Sequence, residues 1–209
     1  MKNTKRRRRV KCFFVGYSQM PLNFSFYRKN DNATLFKGQL ECQRCSYTRE
    51  GHQCKRNTCK YLPMCWQHAA ITYGVKVAPS TIAGAGNGLF ALRDFKAGEW
   101  IAPLLGEIIT AAEGDRRYGE ATAPYVVTHS GQHYDGALRR FIGHYSNSVF
   151  GKRGYPMRSK TNAVIGARNN QFPWLKVQQM KRIKAGSEIL TDYGGEYMLD
   201  VGEYESKTK

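Results

Sequence analysis

The sequence predicts a mostly β protein with few short helices and a small zinc-binding module near its N-terminus. Three observations lead to this prediction. Hydrophobic residues make up 41% of the 209 residues, which is enough apolar material for a core. All 6 cysteines lie within the first 65 residues, where they would concentrate metal ligands. After Tyr73 the pattern changes, and an ordered series of glycine-containing motifs with strand-like neighbours begins.

Basic residues are concentrated at the start of the chain. The chain has 33 Lys and Arg against 16 Asp and Glu, and residues 1–60 alone contain 15 basic and 3 acidic side chains. Residues 1–11, which include four consecutive arginines, are predicted to form a disordered basic arm. Such an arm favours nuclear targeting or contact with nucleic acid, and the alternative is a solvated tail. We therefore expect an intracellular, nuclear or chromatin-associated protein.

No segment of the sequence is typical of a membrane span. The most apolar stretch, residues 100–110, is too short to cross a bilayer and is interrupted by Pro103, Gly106 and Glu107. The basic N-terminus also lacks the apolar segment of a signal peptide. We therefore expect no membrane partner. The sequence leaves the oligomeric state open, with a dimer among the alternatives.

Residues 12–72 form the predicted N-terminal region, and residues 42–68 within it form the predicted zinc module. Residues 12–40 alternate aromatic and polar side chains, which favours one or two strands without evident chemistry. The zinc prediction depends on spacing, because zinc needs about four Cys or His ligands at one point. A Cys-x8-Cys pair and a Cys-x2-His pair supply them: Cys45, Cys54, Cys65 and His68.

Two further cysteines, Cys59 and Cys42, are surplus to this set, and either is an alternate ligand. The competing interpretation of the cluster is a group of buried free thiols. The module also carries basic residues, so its surface is open to nucleic-acid contact. The other role for its metal is to stabilise a segment too short to have its own core.

Residues 73–209 contain the motifs predicted to carry the chemistry. These motifs contain glycines, acidic and aromatic residues and one histidine, and they follow one another in a fixed order. The motifs are Gly84-Ala85-Gly86-Asn87-Gly88 before Leu89-Phe90-Ala91, Gly106-Glu107, Arg140-Phe141-Ile142-Gly143-His144, Asn162-Ala163, and Gly186-Ser187-Glu188-Ile189-Leu190-Thr191-Asp192-Tyr193-Gly194. In this order they resemble the SET-domain protein-lysine methyltransferases over about residues 75–198.

The resemblance implies a β-clip-like SET fold of small sheets, in which the segment ending at His144 and the segment ending at Gly194 pass each other as a C-terminal pseudoknot. It also implies S-adenosyl-L-methionine as cofactor and a histone tail or another basic protein as substrate. Tyr193, Tyr197 and Tyr125 are the implied catalytic and channel residues. The implied cofactor-binding residues are Ala85, Gly86, Asn87, Gly88, Arg140, Phe141, Gly143, His144 and Tyr193.

Two residues depart from the family pattern. Gly143 stands where the family usually has a cofactor-binding Asn, and Leu104 stands where a Tyr is common. A shifted alignment would assign the role of that Asn to Asn147. These departures favour an alternative function, a catalytically weak SET fold that serves as a nucleic-acid or chromatin binding module.

Two local patterns predict secondary structure within this region. Thr110 followed by Glu113 matches the Ser/Thr-x-x-Glu signature of a capped helix. Residues 98–109 are predicted to form a strand that opens at Gly98-Glu99 and ends at Ile108-Ile109.

Overall fold

The computed structural model describes residues 22–28, 34–82, 85–119, 123, 125–148, 160–169, 171–193 and 204–208, with side chains described between residues 41 and 193. The predicted basic arm and the channel residue Tyr197 lie outside the described residues. Within the described ranges, no helix has the length and hydropathy needed to cross a membrane.

The described chain is mostly β, which confirms the predicted fold class. Its helices are short: α1 (Trp66–Tyr73), α2 (Ala111–Tyr118) and the 3-10 helix η1 (Ile142–Tyr145). The strands are β1 (Leu22–Arg28), β2 (Thr34–Leu40), β3 (Cys42–Arg44), β4 (Thr48–Arg49), β5 (His52–Gln53), β6 (Asn57–Cys59), β7 (Val75–Pro79), β8 (Asn87–Ala91), β9 (Trp100–Pro103), β10 (Glu107–Ile109), β11 (Val126–His129), β12 (Gln132–Asp135), β13 (Asn147–Ser148), β14 (Ala163–Arg168), β15 (Phe172–Val177), β16 (Glu188–Thr191) and β17 (Tyr204–Thr208).

These strands form several small sheets. The larger ones have the strand orders β17-β1-β2, β10-β12-β11, β13-β16-β8-β7 and β14-β15-β9. Two further pairs, β3-β6 and β4-β5, lie in the predicted zinc module. Most pairings are antiparallel, but β13 runs parallel to β16. About 40 residues separate these two strands, which is enough chain for the crossover connection that a parallel pair needs.

The first and last described strands belong to one sheet. β1 and β2 form where the alternating pattern of residues 12–40 predicts one or two strands, and β17 pairs antiparallel with β1. The register brings Phe24 opposite Thr208 and Arg28 opposite Tyr204. The sequence analysis did not predict this pairing, because nothing in the last residues indicates a partner so far along the chain.

The prediction of a strand running through residues 98–109 is wrong. The structure has two strands here, and they join different sheets: β9 pairs with β15, and β10 pairs with β12. Pro103 ends β9, since a proline has no N–H to continue the ladder. Gly106 then passes so close to the next sheet that a Cβ atom would lie 2.4 Å from the Asp135 carbonyl oxygen.

Helix α1 connects the zinc module to the remainder of the chain. It ends at Gly74, whose φ of 64° is left-handed and whose N–H donates to the Ala70 carbonyl. β7 starts at the next residue. The turn therefore directs the chain from the module straight into the sheet that carries the glycine-rich motif.

One hydrophobic core joins the module to the sheets. Cys59, Leu62 and Ala69 are buried in the same cluster as Leu89, Phe95 and other residues of the later strands. The largest completely buried side chains are Phe95, Leu89, Ile101, Leu104, Leu175, Ile183, Ile189, Val75 and Val177. Each contributes on the order of 1.5–3 kcal/mol by burial. Because side chains of the zinc module and of the later strands pack in this one core, the two regions stabilise each other.

Candidate active site and metal centre

Four side chains of the module converge on one point. The ligand atoms of Cys45, Cys54, Cys65 and His68 all lie within 4.8 Å of one another. The His68 Nδ1 atom is 3.5 Å from the Cys45 sulfur and 3.4 Å from the Cys65 sulfur. Three thiols and one imidazole are the donor set that tetrahedral structural zinc prefers. The cluster fits a zinc site.

Backbone and ring contacts support this cluster. Cys65 begins the turn into α1, and its N–H donates to the Cys45 sulfur at 3.2 Å. The ring of Tyr47 stacks on the ring of His68 with 3.9 Å between centroids, which fixes the orientation of the imidazole. The alternates lie elsewhere: Cys42 and Cys59 are opposite each other in β3 and β6, Cys42 is disulfide-bonded and Cys59 is a buried free thiol.

The second candidate site is built where two distant segments lie side by side. η1 leads into β13, and β13 pairs with β16, with Asn147 opposite Leu190 and Ser148 opposite Thr191. The Ser146 hydroxyl donates to the Ile189 carbonyl at 2.9 Å. We call residues 142–148 together with residues 188–193 the crossing. Such a side-by-side arrangement is what the predicted pseudoknot requires.

Asn162 fixes one strand of the crossing. Its side-chain oxygen accepts from the Leu190 N–H, and its side-chain nitrogen donates to the Glu188 carbonyl, both at 2.9 Å. Its own N–H donates to the Leu190 carbonyl at 3.0 Å. A single Asn therefore binds the backbone of β16 on both sides of Ile189, which accounts for an Asn in the Asn162-Ala163 motif.

Glu188 links the crossing to the start of the glycine-rich turn. Its carboxylate accepts from the Ser80 hydroxyl at 2.6 Å, from the Thr81 N–H at 2.7 Å and from the Thr81 hydroxyl. The Asn147 side chain also donates to it at 3.2 Å. Burial alone would raise the pKa of Glu188, but the hydrogen bonds from Ser80 and Thr81 lower it.

This contact explains one glycine of the motif. A Cβ atom on Gly88 would lie 2.1 Å from a Glu188 carboxylate oxygen, so only glycine leaves room for the carboxylate. The sequence analysis quoted Glu188 within a motif but gave it no role. The signal that could have found it is the pairing of an acidic residue with a Ser-Thr dipeptide, which offers hydroxyl donors.

Tyr193 lies at the end of the crossing. Its hydroxyl donates a hydrogen bond to the Ser146 carbonyl, so it joins the two distant segments directly. Burial raises the pKa of Tyr193, and the charge of nearby Arg140 opposes this shift while Tyr125 adds to it. Tyr193 and Tyr125, both named from the sequence, therefore lie close together.

Arg140 lies over two aromatic rings, those of Tyr125 and Tyr145. Its guanidinium carbon is 3.8 Å from the ring centroid of Tyr125 and 5.5 Å from that of Tyr145. Both distances are within the range of cation–π contact. The structure thus brings Arg140, Tyr125 and Tyr193 into one electrostatic environment.

His144 has one nitrogen without a partner. A backbone hydrogen bond to Leu104 engages its ring, while Nε2 is buried and has no hydrogen-bond partner within the described part of the chain. Burial lowers the pKa of His144 to about 3, and the charge of Arg140 contributes. The imidazole is therefore neutral near pH 7, and a buried atom of this kind normally requires a partner.

The departure at Gly143 has a steric cause. A Cβ atom there would lie 2.3 Å from the Pro103 carbonyl oxygen, so the backbone of β9 excludes any side chain. A shifted alignment would give the role of the family's Asn to Asn147. The Asn147 side chain donates to the Asn87 carbonyl at 3.1 Å as well as to Glu188. Leu104 is completely buried in the core, with its N–H donating to the Pro173 carbonyl at 2.9 Å.

The remaining predicted residues are distributed as follows. Asn87 and Gly88 begin β8, and Ala85 and Gly86 precede it in the turn. Phe141 is 2% exposed, and its ring packs edge-on against Tyr73 with 5.8 Å between centroids, so its side chain belongs to the core. Their contacts with a cofactor stay a prediction.

A buried ionic cluster holds α2 on the sheet beside the site. Arg117 donates to Glu107 at 2.8 and 2.9 Å and to Asp135 at 2.9 Å, and the Tyr118 hydroxyl donates to Asp135 at 2.8 Å. Burial alone would lower the pKa of Arg117, but the bonds to Glu107 and Glu113 raise it. The sequence analysis did not identify this cluster.

The fold and the crossing define a class of protein, a small-sheet β domain in which a tyrosine joins two distant segments. The chain belongs to the SET domain family, whose pattern matches residues 86–194, just over half of the chain. This confirms the resemblance stated from the motifs. The zinc module lies before the matched residues.

Individual relatives match part of the chain. A SET domain-containing protein of Phaeosphaeria nodorum (strain SN15) is 31% identical over 121 residues, which are 56% of this chain and 17% of that protein. A crystal structure of the Chaetomium thermophilum polycomb repressive complex 2 is similar at 27% identity and a TM-score of 0.46, covering 62% of this chain and 16% of that chain.

The same fungal complex, in an autoinhibited conformation bound to S-adenosylmethionine, is similar at 27% identity and a TM-score of 0.46. The match covers 60% of this chain and 16% of that chain. In each case this chain spans about a sixth of the relative's length.

Proposed function

We propose that the chain is an S-adenosylmethionine-dependent protein-lysine N-methyltransferase. The observation that carries the proposal is the hydrogen bond from the Tyr193 hydroxyl to the Ser146 carbonyl. It fixes a half-buried tyrosine, within electrostatic reach of Tyr125, at the point where two distant segments of a SET domain meet. A hydroxyl held in one orientation at such a point suits the alignment of an amine.

The chain's residues fit the cofactor that this function needs. S-adenosylmethionine supplies a methyl group on a positively charged sulfur, and a lysine amine displaces that sulfur. The unpartnered Nε2 atom of His144 offers an acceptor for a ligand N–H or O–H. The backbone around Gly86 and Gly88, which Glu188 holds through Ser80 and Thr81, would support the methionine end.

Tyr193 would orient the lysine amine rather than remove its proton. Because burial raises the pKa of Tyr193, its hydroxyl keeps its proton at neutral and moderately alkaline pH. The hydroxyl donates to the Ser146 carbonyl, and a hydroxyl oxygen can also accept an N–H, here from the amine. This leaves the nitrogen lone pair available for attack on the methyl carbon.

The surroundings of Tyr193 would favour a neutral lysine. A free lysine has a pKa near 10.4, and both burial and a nearby positive charge lower it. The rings of Tyr125 and Tyr145 would limit hydration of the amine, and the guanidinium of Arg140 lies on both rings. The amine would therefore lose its proton to solvent and be held neutral beside Tyr193.

The proposed substrate is a lysine of a basic protein such as a histone tail, and the proposed location is nuclear or chromatin-associated. The family supplies this substrate class. The basic residues before residue 60 supply a charge that suits a nucleic-acid partner. Substrate recruitment would then depend on the N-terminal region and methyl transfer on the crossing.

The test combines cofactor binding with methyl transfer. Titration with S-adenosylhomocysteine should give saturable binding, and labelled cofactor should transfer methyl groups to histones or another basic protein. Tyr193→Phe should leave S-adenosylhomocysteine affinity within about threefold but lower kcat by roughly 10²-fold, or change the number of methyl groups added. The matched control is Tyr134→Phe, a buried tyrosine whose hydroxyl instead donates to Gln132 and to the Gln171 carbonyl.

Three results would contradict the proposal or the role that it gives to Tyr193. Lack of S-adenosylhomocysteine binding by the folded protein would exclude the cofactor role. Binding without transfer up to about pH 9, where lysine deprotonates more readily, would favour the alternative of a chromatin-binding module. Equal kcat for Tyr193→Phe and Tyr134→Phe would remove Tyr193 from the mechanism.

A further inference from the structure

One side of the sheet β14-β15-β9 carries aromatic rings and cations, whereas its other side packs in the core. On β15, Leu175 and Val177 are completely buried. Side chains alternate along a strand, so Phe172, Trp174 and Lys176 lie on the opposite side. The outward side of an antiparallel sheet usually carries polar residues, which makes two aromatic rings beside one lysine unusual.

The neighbouring strands extend this surface. On β14, the register places Gly166 opposite Trp174. On β9, it places Trp100 opposite Lys176. Directly opposed residues of an antiparallel pair point to the same side of the sheet. We call the resulting set the aromatic face: Trp100, Gly166, Arg168, Phe172, Trp174 and Lys176.

Trp174 fixes the arrangement of the rings. It is only 8% exposed, because the rings of Trp100 and Phe172 both pack against it, with 6.4 and 5.9 Å between centroids. The Trp100 ring also lies over Gly166, where a Cβ atom would be 3.5 Å from it. Trp100 and Phe172 themselves are partly exposed. Both rings are therefore held in place and keep surface that a ligand can contact.

The charges of the aromatic face are positive and lie beside its rings. The Lys176 Nζ atom is 4.9 Å from the ring centroid of Trp100, and the guanidinium carbon of Arg168 is 4.6 Å from that of Trp174. Both distances are within the range of cation–π contact. The aromatic face contains no acidic residue. A flat ring that carries a nearby negative charge would therefore find a partner for each part here.

We infer that the aromatic face binds single-stranded nucleic acid. Bases stack on Trp100 and Phe172, and the side chains of Lys176 and Arg168 contact the phosphates. Proteins that bind single strands combine these two elements, since every base has a π face and every phosphate is negative. A duplex hides the faces of its bases, so the site requires an unpaired strand. RNA and DNA share this chemistry.

This site is independent of the proposed methyltransferase function. None of the predicted catalytic or cofactor-binding residues belongs to the aromatic face. It is also distinct from the basic residues before residue 60, whose attraction for nucleic acid depends on phosphate charge alone. A test therefore has to separate base stacking from attraction to phosphates.

The experiment compares single-stranded octamers of equal charge. Octathymidylate and octauridylate carry bases, and an abasic octamer of the same length does not, while the basic N-terminal region attracts all three. We expect the full chain, titrated at fixed salt, to bind both base-bearing octamers at least about 10-fold more tightly than the abasic one. Tryptophan fluorescence should also fall, because a stacked base quenches the indole. The tighter of the two identifies DNA or RNA as the natural source.

Two variants change the stacking surface and its charge separately. Trp100→Leu should reduce the base-dependent gain to about threefold or less, remove most of the quenching and leave the abasic octamer within about twofold. Its control is Trp66→Leu, a 70% exposed tryptophan of α1, which should keep the whole gain. Lys176→Gln should weaken all three octamers about 2–5-fold. Its control is Lys76→Gln, an exposed lysine of β7, which should change them less than twofold.

Three results would overturn the inference. The first is equal affinity for base-bearing and abasic octamers. The second is an equal loss of the base-dependent gain in Trp100→Leu and Trp66→Leu. The third is displacement of octathymidylate by poly-glutamate as effective as that by unlabelled octathymidylate, which would assign the face to acidic proteins. Circular dichroism identifies any misfolded variant. Should Trp100→Leu misfold, Phe172→Leu tests the same gain at the other partly exposed ring, and the abasic comparison in the wild type decides without any variant.

Discussion

The zinc module and the crossing are both points where separate pieces of chain converge, but different forces hold them. In the module, Cys45, Cys54, Cys65 and His68 converge from within 24 residues, and a metal ion would supply the attraction. In the crossing, Ser146 and Tyr193 lie 47 residues apart, and hydrogen bonds with buried side chains hold them. The zinc module depends on its metal ligands, and the crossing depends on hydrogen bonds to its backbone.

This difference determines how each region should respond to change. A metal site concentrates its free energy in four side chains, so each of them is essential and their neighbours are not. The crossing distributes its free energy over contacts from Asn162, Glu188 and the glycines. Losing one contact should weaken the crossing without abolishing it.

The largest expected effect comes from removing a zinc ligand. Cys65→Ala should eliminate bound zinc and unfold the module, because structural zinc contributes on the order of 10 kcal/mol of apparent free energy. Since Cys59, Leu62 and Ala69 pack in the common core, the melting temperature of the whole chain should fall by roughly 10 °C or more. Metal analysis and a melting curve with and without chelator measure both effects.

Cys59→Ala is the control for this prediction. Cys59 is 4% exposed but lies outside the cluster of ligands, so its loss should leave one zinc per chain. The melting temperature should then fall only by the modest amount expected for a smaller core side chain. Equal zinc loss in both variants, or a melting curve indifferent to chelator, would contradict the zinc assignment.

The next-largest effect is expected at Gly143, where the backbone of the crossing leaves no room for a side chain. Gly143→Asn introduces the residue usual in the family, yet its Cβ atom would lie 2.3 Å from the Pro103 carbonyl oxygen. We expect a loss of at least about 3 kcal/mol in the free energy of unfolding rather than improved cofactor binding. Gly166→Ala is the control, because its Cβ would meet Trp100 at an ordinary 3.5 Å. Chemical denaturation of both variants gives the comparison.

The same contrast explains what the sequence could predict. The spacing of Cys and His identified four residues that the structure brings together, because several such residues close in sequence usually bind one metal ion. The family motifs identified the two segments of the crossing. Neither source revealed the steric reason for Gly143 or the Asp135–Arg117 contact, because both depend on the separation of elements that are distant in sequence.

A smaller, pH-dependent effect is expected at Glu188. Because the pKa of Glu188 is lowered on folding from its ordinary 4.5, its contribution to stability is present above about pH 4.5 and is lost as the pH falls through its folded value. Glu188→Gln should therefore lower the free energy of unfolding by about 1–2 kcal/mol at pH 7. The difference from the wild type should shrink in acid.

Hydrogen exchange locates this effect. The Thr81 amide, which donates to Glu188 at 2.7 Å, should exchange faster in Glu188→Gln. Glu99→Gln removes another carboxylate with a lowered pKa, one that contacts Arg93 and the Lys96 N–H instead. It should leave exchange at Thr81 unchanged. Equal exchange in the two variants would mean that Glu188 does not hold the turn.

The smallest effect tests a purely local pattern, the cap of α2. The Thr110 hydroxyl accepts from the Glu113 N–H at 3.1 Å, as predicted, while the Glu113 carboxylate binds Arg116 at 2.7 Å. Thr110→Ala should cost about 1 kcal/mol in the free energy of unfolding, and Thr110→Ser should cost less because it keeps the oxygen. Denaturant titration separates them. Since Arg117 also anchors α2 through Glu107 and Asp135, the helix should survive the loss of its cap. If Thr110→Ala instead lowered the free energy of unfolding as much as Gly143→Asn, the cap and not the buried ionic cluster would hold α2 in place.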